Sequence, residues 1–359
     1  MPRLSPSLLW RAYRTSPHLA ALLPVCRDLA SARNELRWLR EHVSKVASSH
    51  GNSQNLQSNS WSNALEQDLL LGYLCRKRGR GVPLQYILGT QPFGDLEIKC
   101  RPGVLIPRPE TEAWVMRIAD IARRELPGSN ENIGMGKGLR VLDLCTGSGC
   151  IALLMYSLLR RQFPGLRVRG VDIEPKALAL SRENLVYNMR LGLLPNEAQD
   201  VKFEKADIFS AEWLSSLGAV DVLVSNPPYI STQGFNRDTE RSVRRYEPKL
   251  ALVPTPSIDA SSFTECQPED IFYARILDIS KVLKPRFTVL EVGDLMQGLR
   301  VVRMARSRCE GAEIEVWRDS PDMEPKSHDD RPDYVKVDDV EVRVRGCGHG
   351  RSVFIRHKV

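Results

Sequence analysis

The chain has no run of 18 or more apolar residues, so it offers no transmembrane helix. It has no C-x-x-C pair. Its eight cysteines stand apart at 26, 75, 100, 145, 150, 266, 309 and 347. That scatter argues against a zinc framework or a disulfide scaffold, and for ordinary thiols in a reducing compartment. Cys347-Gly-His349 offers at most two metal ligands, and nothing nearby completes a set. The three-glycine dinucleotide fingerprint and the Lys-Ser/Thr pair of a P-loop are both missing. No internal repeat is visible. Acidic residues are absent before Asp28, whereas Arg3, Arg11, Arg14 and Arg27 are present. A basic, serine-containing, acid-free start has the composition of a mitochondrial presequence, expected here over residues 1–27; a disordered cytosolic N-terminus is the alternative. No continuous apolar core follows the charges, so it is not a secretory signal.

What is present describes a soluble globular protein: 359 residues, 42% apolar and 26% charged. The length suggests one large domain and a smaller one. Residues 1–60 hold eight Lys/Arg and three Asp/Glu, leaving only +2 of the net +7 for the rest. That is weak support for a nucleic-acid surface on the main body.

Leucines and a valine at helical spacing predict a helix over residues 18–46, and a second over 61–76. The polar tract between them, residues 48–60, reads as a loop. A β-flavoured stretch follows at 84–107. From Leu139 strands and helices alternate, with strands expected at 139–144, 166–172, 201–207, 220–225, 287–293, 313–318 and 352–356. The pattern predicts an α/β fold with a mostly parallel sheet, whose ligands bind at the carboxyl ends of the strands.

Those ends carry chemistry. In V-L-D-L-C-T-G-S-G-C, Asp143 closes a strand while Gly147 and Gly149 permit a tight turn and close approach to a ligand. Asp172, ending the next strand, suits both hydroxyls of a ribose. Asp207, ending the third, is placed to receive an adenine amino group, with Ile208 packing on the ring. Each alone reads equally well as an ordinary turn or surface acid; three in order make a nucleoside site. The fourth strand stops at Asn226-Pro227-Pro228-Tyr229, where two prolines end the hydrogen-bond ladder.

N-P-P-Y after such a site resembles the class I S-adenosylmethionine methyltransferases that act on planar nitrogens, DNA adenine and RNA guanine enzymes included. Residues 80–112 narrow the choice. R-G-V-P-L-Q-Y-I-L-G-T-Q-P-F-G-D-L-E-I-K followed by V-L-I-P-R-P-E-T-E is similar to the HemK/PrmC family of protein-(glutamine N5) methyltransferases, in particular a fungal-type mitochondrial member. The likeness continues in V-S-N-P-P-Y-I, R-Y-E-P-K-L-A-L, L-E-V-G and R-S-V-F-I.

The resemblance implies a Rossmann-like seven-stranded sheet with a small N-terminal helical domain. It implies domains at 28–82 (helical, release-factor-binding), 83–112 (β-rich linker) and 113–359 (catalytic). S-adenosyl-L-methionine would be held by Asp143, Cys145, Thr146, Gly147, Ser148, Gly149, Asp172, Asp207, Ile208 and Asn226. The partner would be a class I peptide chain release factor methylated on the glutamine of its Gly-Gly-Gln motif, with no nucleic acid or membrane engaged and no metal needed. The chemistry would fall to Asn226, Pro227, Pro228 and Tyr229: Asn226 Oδ1 and the Pro227 carbonyl accept the two N–H bonds of the substrate amide, and Tyr229 stacks on or flanks it. Glu247-Pro248 would shape the substrate wall, and Glu110-Thr111-Glu112 would open a helix or close over the cofactor. The chain departs from the family pattern at Cys145, usually glycine, and in the segments 254–268 and 319–349. Two other readings stand beside this one: a nucleic-acid N-methyltransferase, and an assembly factor that keeps only the fold.

Overall fold

The computed structural model describes residues 3–50, 60–126, 138–196, 198, 200–210, 212–255, 266–324 and 333–358. The chain forms two compact units, one of residues 1–90 with 240–246, the other of residues 91–239 with 247–359.

The first unit is helical: α1 (Pro6–Thr15), α2 (Pro17–Cys26), α3 (Leu29–His50), α4 (Ser60–Gly79), α5 (Leu84–Leu88) and α10 (Arg241–Tyr246). Ser5 and Ser16 cap α1 and α2 by accepting from Leu8 N and His18 N, each followed by proline at the first helical position. Arg27, at φ 68°, ends α2, so the single helix expected over 18–46 is two. Leu19, Leu22 and Leu23 of α2 pack with Leu36, Leu39 and Val43 of α3 and Leu71, Leu74 and Cys75 of α4 in one core. Arg78 donates to both oxygens of Glu35 at 2.7 and 2.8 Å and so ties α4 to α3.

The expected boundary at residue 27 is therefore not a structural one, because α2 lies at the centre of this core. The tract expected as a loop at 48–60 is shortened by α3, which reaches His50; residues 51–59 lie outside the described residues. Residues 84–88 are helix rather than strand and belong to this unit, so 83–112 is not a separate linker. With 15 Lys/Arg against 6 Asp/Glu, the helical unit carries +9 of the net +7, leaving the other unit at −2.

The second unit is built on a sheet of β3 (Arg140–Leu144), β4 (Arg167–Asp172), β5 (Val201–Lys205), β6 (Val222–Ser225), β7 (Phe287–Glu291), β8 (Glu313–Ser320), β9 (Tyr334–Val337), β10 (Val340–Arg345) and β11 (Cys347–Arg356). Their spatial order is β5-β4-β3-β6-β7-β11-β8-β10-β9. The first five are parallel, and β11 runs antiparallel between β7 and β8. The expected seven strands are there, but the sheet has nine. The extra pair, β9 and β10, comes from the charged 319–349 segment, of which residues 325–332 lie outside the described residues. Of 254–268, residues 256–265 do too.

Alternation along β3 sends Val141 to one core and Leu142 and Leu144 to the other. Helices α6 (Pro109–Glu125), α7 (Cys150–Leu159) and α8 (Pro175–Arg190) fill the first; α11 (Ile271–Leu283) and α12 (Leu295–Arg308) fill the second. A hairpin, β1 (Thr90–Phe93) and β2 (Leu96–Lys99), lies beside α8, with the short α9 (Thr232–Arg237) elsewhere in the unit. Asn184 and Asn188 of α8 accept from Lys99 N and Glu97 N and donate back to the Lys99 and Glu97 carbonyls, so the backbone of β2 is satisfied by side chains. The strand order reverses between β3 and β6, which places a ligand crevice at their carboxyl ends.

Candidate active site

A cavity of about 480 Å³ opens at this reversal. The turn after β3 forms its floor. Cys145, Gly147 and Gly149 all adopt positive φ, at 59°, 56° and 80°. A Cβ on Gly149 would come within 2.9 Å of Phe203 and Ser181, so packing demands glycine there. A Cβ on Gly147 meets nothing closer than 4.0 Å, so there the positive φ rather than packing favours glycine. Cys145 takes a conformation that glycine adopts freely, at a cost of roughly 1 kcal/mol. Asn184 Nδ2 donates to the Ser148 carbonyl at 2.9 Å and props the turn from α8.

Asp172, at the end of β4, accepts from Gly147 N at 2.8 Å and Glu174 N at 2.9 Å, one bond to each oxygen. Burial raises its pKa, and those two backbone bonds oppose the rise. Each oxygen keeps a lone pair for a ligand hydroxyl. Asp207 is exposed, Ile208 is buried, and Phe209 meets Phe272 edge to face at 5.1 Å. Arg275 holds their loop by donating to the carbonyls of Ile208 and Ser210. The apolar wall also includes Ile173, 47% exposed, which no motif singles out.

Asp143 is fully buried. Its Oδ2 accepts from the Thr146 hydroxyl at 2.5 Å, while Oδ1 has no partner. Burial pushes its carboxyl up to about 7. A carboxyl in the unfolded chain titrates near ~4. Stability is therefore lost as the pH rises from about 4 to about 7, because the folded state must then hold a buried charge. Asp143→Asn is expected to raise the melting temperature at pH 8 by more than at pH 5, and to weaken cofactor binding. Melting curves at the two pH values check this, and an equal gain at both would contradict it.

These features fit S-adenosylmethionine: a carboxylate with free lone pairs at Asp172, apolar walls and a glycine turn that permits close backbone approach to a ligand. Of the ten residues expected to hold it, Cys145, Thr146, Gly147, Ser148, Asp172, Asp207, Ile208 and Asn226 line the cavity; Asp143 and Gly149 shape the turn. The strap 103–108 lines it as well. Glu247 accepts from Arg108 at 2.7 Å and from Ile106 N at 3.2 Å, and so fastens this strap to the segment bearing Pro248 and Leu250. Glu247 is thus a clasp, while Pro248 is the wall.

At the end of β6, Asn226 and Pro228 face the cavity, whereas Pro227 and Tyr229 do not line it. Asn226 Nδ2 donates to Thr111 Oγ1 at 3.4 Å. Thr111 in turn donates to Glu291 Oε2 at 2.6 Å, which also accepts from Trp114 Nε1 at 2.8 Å. The Tyr229 hydroxyl donates to Glu291 Oε1 at 3.3 Å, and its ring packs at Gly293. Burial raises the pKa of both Tyr229 and Glu291; for Tyr229 the Glu291 charge adds to it. Among the described residues no hydrogen bond ends on the Pro227 carbonyl or on Asn226 Oδ1. The loop itself is pinned: Gln297 Nε2 donates to the Tyr229 carbonyl at 3.0 Å and to Asp270, and Ile230 N to the Leu252 carbonyl.

Sequence reasoning passed over Glu291, Trp114, Arg108 and Gln297. Glu291 sits in the L-E-V-G stretch, but nothing in a single strand-end acid says which loop it supports. Among the described residues no group of three or more metal-ligating side chains occurs, and no helix is long and apolar enough to cross a membrane.

Residues 135–290 match the model of a methyltransferase domain family. The chain is 36% identical over 261 residues to the mitochondrial MRF1 N(5)-glutamine methyltransferase MTQ1 of Saccharomyces cerevisiae, covering 70% of this chain and 68% of that one. It is 35% identical to the probable MRF1 mitochondrial N(5)-glutamine methyltransferase of Schizosaccharomyces pombe, covering 70% and 73%. A release factor glutamine methyltransferase of Bifidobacterium longum is 34% identical, with 64% and 70% covered. Among solved structures, the N-terminal domain of human METTL16 in complex with SAH covers 80% of this chain and 83% of its own at 14% identity and a TM-score of 0.44, a likeness too low to bear on function.

Proposed function

The chain belongs to the release factor glutamine methyltransferases, and we propose that it methylates N5 of the Gly-Gly-Gln glutamine in a class I peptide chain release factor, using S-adenosyl-L-methionine, in mitochondria. The observation that carries the mechanism is the pair of unengaged acceptors at the end of β6: Asn226 Oδ1, whose own NH₂ is occupied by Thr111, and the Pro227 carbonyl.

A carboxamide nitrogen is a poor nucleophile because its lone pair is delocalised into the carbonyl. Asn226 Oδ1 and the Pro227 carbonyl each accept one substrate N–H and fix the NH₂ plane. Positive charge grows on that nitrogen as it is alkylated, so both acceptors hold the transition state more tightly than the ground state. S-adenosyl-L-methionine, when bound, supplies a methyl group on a sulfonium. The turn Asp143–Gly149, Asp172 and Asp207–Ile208 hold it, and the fastened strap 103–108 limits water access. Alignment contributes alongside electrostatics, since in-line transfer tolerates little misplacement. The N-methylated amide cation is acidic and loses its proton to water, so no dedicated base is required. Tyr229, whose hydroxyl is held by Glu291, flanks the amide with its ring.

The mitochondrial setting rests on the acid-free basic start of the chain and on the names of its two yeast relatives. The −2 charge of the catalytic unit speaks against a nucleic-acid substrate in the cavity. In the test, purified protein, labelled S-adenosylmethionine and a recombinant mitochondrial release factor should give labelled factor, and Gln→Ala in its Gly-Gly-Gln should abolish the signal. Labelling of bulk DNA or ribosomal RNA in place of the factor would overturn the reading.

A further inference from the structure

A side-chain amide accepts at one end and donates at the other, and turned end for end it fills the same space with opposite polarity. Only one of the two orientations serves a substrate NH₂, which is itself a double donor. We propose that Thr111 and Glu291 are positioning residues that set the orientation of Asn226, an inference that rests on the acceptor role given to Asn226 above.

Three elements supply the chain of bonds. Thr111 comes from the first turn of α6, Asn226 follows β6, and Glu291 ends β7, the strand hydrogen-bonded to β6. Glu291 is 1% exposed and fully engaged: Trp114, which can only donate, takes Oε2 at 2.8 Å, and Tyr229 takes Oε1 at 3.3 Å. Thr111 has one proton, and it is committed to the Glu291 carboxylate at 2.6 Å. Toward Asn226 its oxygen therefore accepts, and at 3.4 Å what faces it is Nδ2. The reversed amide would set the Oδ1 lone pairs against those of Thr111 and aim an NH₂ at the substrate NH₂. Both contacts are repulsive, so a buried carboxylate that touches no substrate decides which atom of Asn226 the substrate meets.

Substitutions at Thr111 in the full-length enzyme separate this role from packing. Thr111→Val keeps the shape and removes the hydroxyl; Thr111→Ser keeps the hydroxyl. With the release factor as substrate, Thr111→Val should lower kcat about ten-fold, the scale of one lost hydrogen bond, with cofactor affinity little changed and Tm lowered, because the buried Glu291 carboxylate loses a donor. Thr111→Ser should stay within about two-fold of wild type.

The discriminating measurement repeats Thr111→Val on an Asn226→Asp background. A carboxylate accepts at both ends and has no orientation to lose, so the hydroxyl deletion should there cost less than about two-fold. Equal cost on both backgrounds would mean Thr111 is merely structural and would overturn the proposal. If Asn226→Asp alone leaves too little turnover to measure, the valine–serine pair decides, and equal losses in the two overturn it. Wild-type enzyme that labels no release factor overturns the functional reading and the relay with it; an active wild type beside an equally active Thr111→Val variant overturns the relay alone.

Discussion

Asn226→Ala is expected to lower the rate of methyl transfer by about 10²–10³-fold, the loss seen when one transition-state hydrogen bond is removed. Cofactor affinity should move far less, because Asp172, Asp207 and the Asp143–Gly149 turn remain in place. The two effects separate in single-turnover kinetics and a direct cofactor titration. The expected loss is large because the proposed mechanism has only two acceptors for the substrate NH₂, Asn226 Oδ1 and the Pro227 carbonyl, and removing the first leaves one N–H unmatched. The two prolines matter in the same way. They end the ladder of β6, so the Pro227 carbonyl keeps its lone pairs instead of spending them on a neighbouring strand. A turnover within a few-fold of wild type would remove Asn226 from the mechanism.

Deleting residues 1–27 is expected to unfold the helical unit. Leu19, Leu22 and Leu23 are at most 1% exposed and fill the space between α3 and α4. Burying one such leucine contributes about 1.5–3 kcal/mol, so losing three approaches the whole stability of a typical domain. Leu22→Ala alone should cost about 2–5 kcal/mol. Amide exchange in α3 and α4 is the measurement: protection at Leu36, Leu39 and Val43 should collapse in the shortened chain. Retained protection would mean that α1 and α2 are dispensable, and a leader ending at residue 27 would then be compatible with a folded unit. With the core as it stands, any cleavage that leaves the unit intact falls before α2.

That residue 27 is not a boundary of the packed helices has a physical origin in what composition reports. Composition reports that a segment is basic and free of acid, but α2 is a helix whose apolar residues say nothing about what they pack against. Its partners, Leu39 and Leu74, are distant in sequence. The same limitation hid β9 and β10: the stretch is dominated by charge, yet Val337, Val342 and Val344 are buried and it adds two strands beyond β8. By contrast the strands β3 to β7 were readable within two or three residues, because each is a short apolar run or an apolar–charged alternation ending at a turn, with a helical or turn segment before the next.

Local sequence thus determined the chemistry on offer: acids at successive strand ends, a glycine turn, and an asparagine before two prolines, each in a motif whose spacing is a property of the chain alone. Which of those groups act on one another was left to the tertiary structure. Thr111, Asn226 and Glu291 lie more than sixty residues apart, and only the pairing of β6 with β7 and the docking of α6 bring them within hydrogen-bond reach. Tyr229 has in Glu291 a partner that sequence order does not reveal, and Glu291, to all appearance an ordinary strand-end acid, is the group on which Thr111, Trp114 and Tyr229 converge. Hydrogen bonds are directional and short, so the polarity of a single amide is fixed by neighbours in space, and sequence order alone does not supply them.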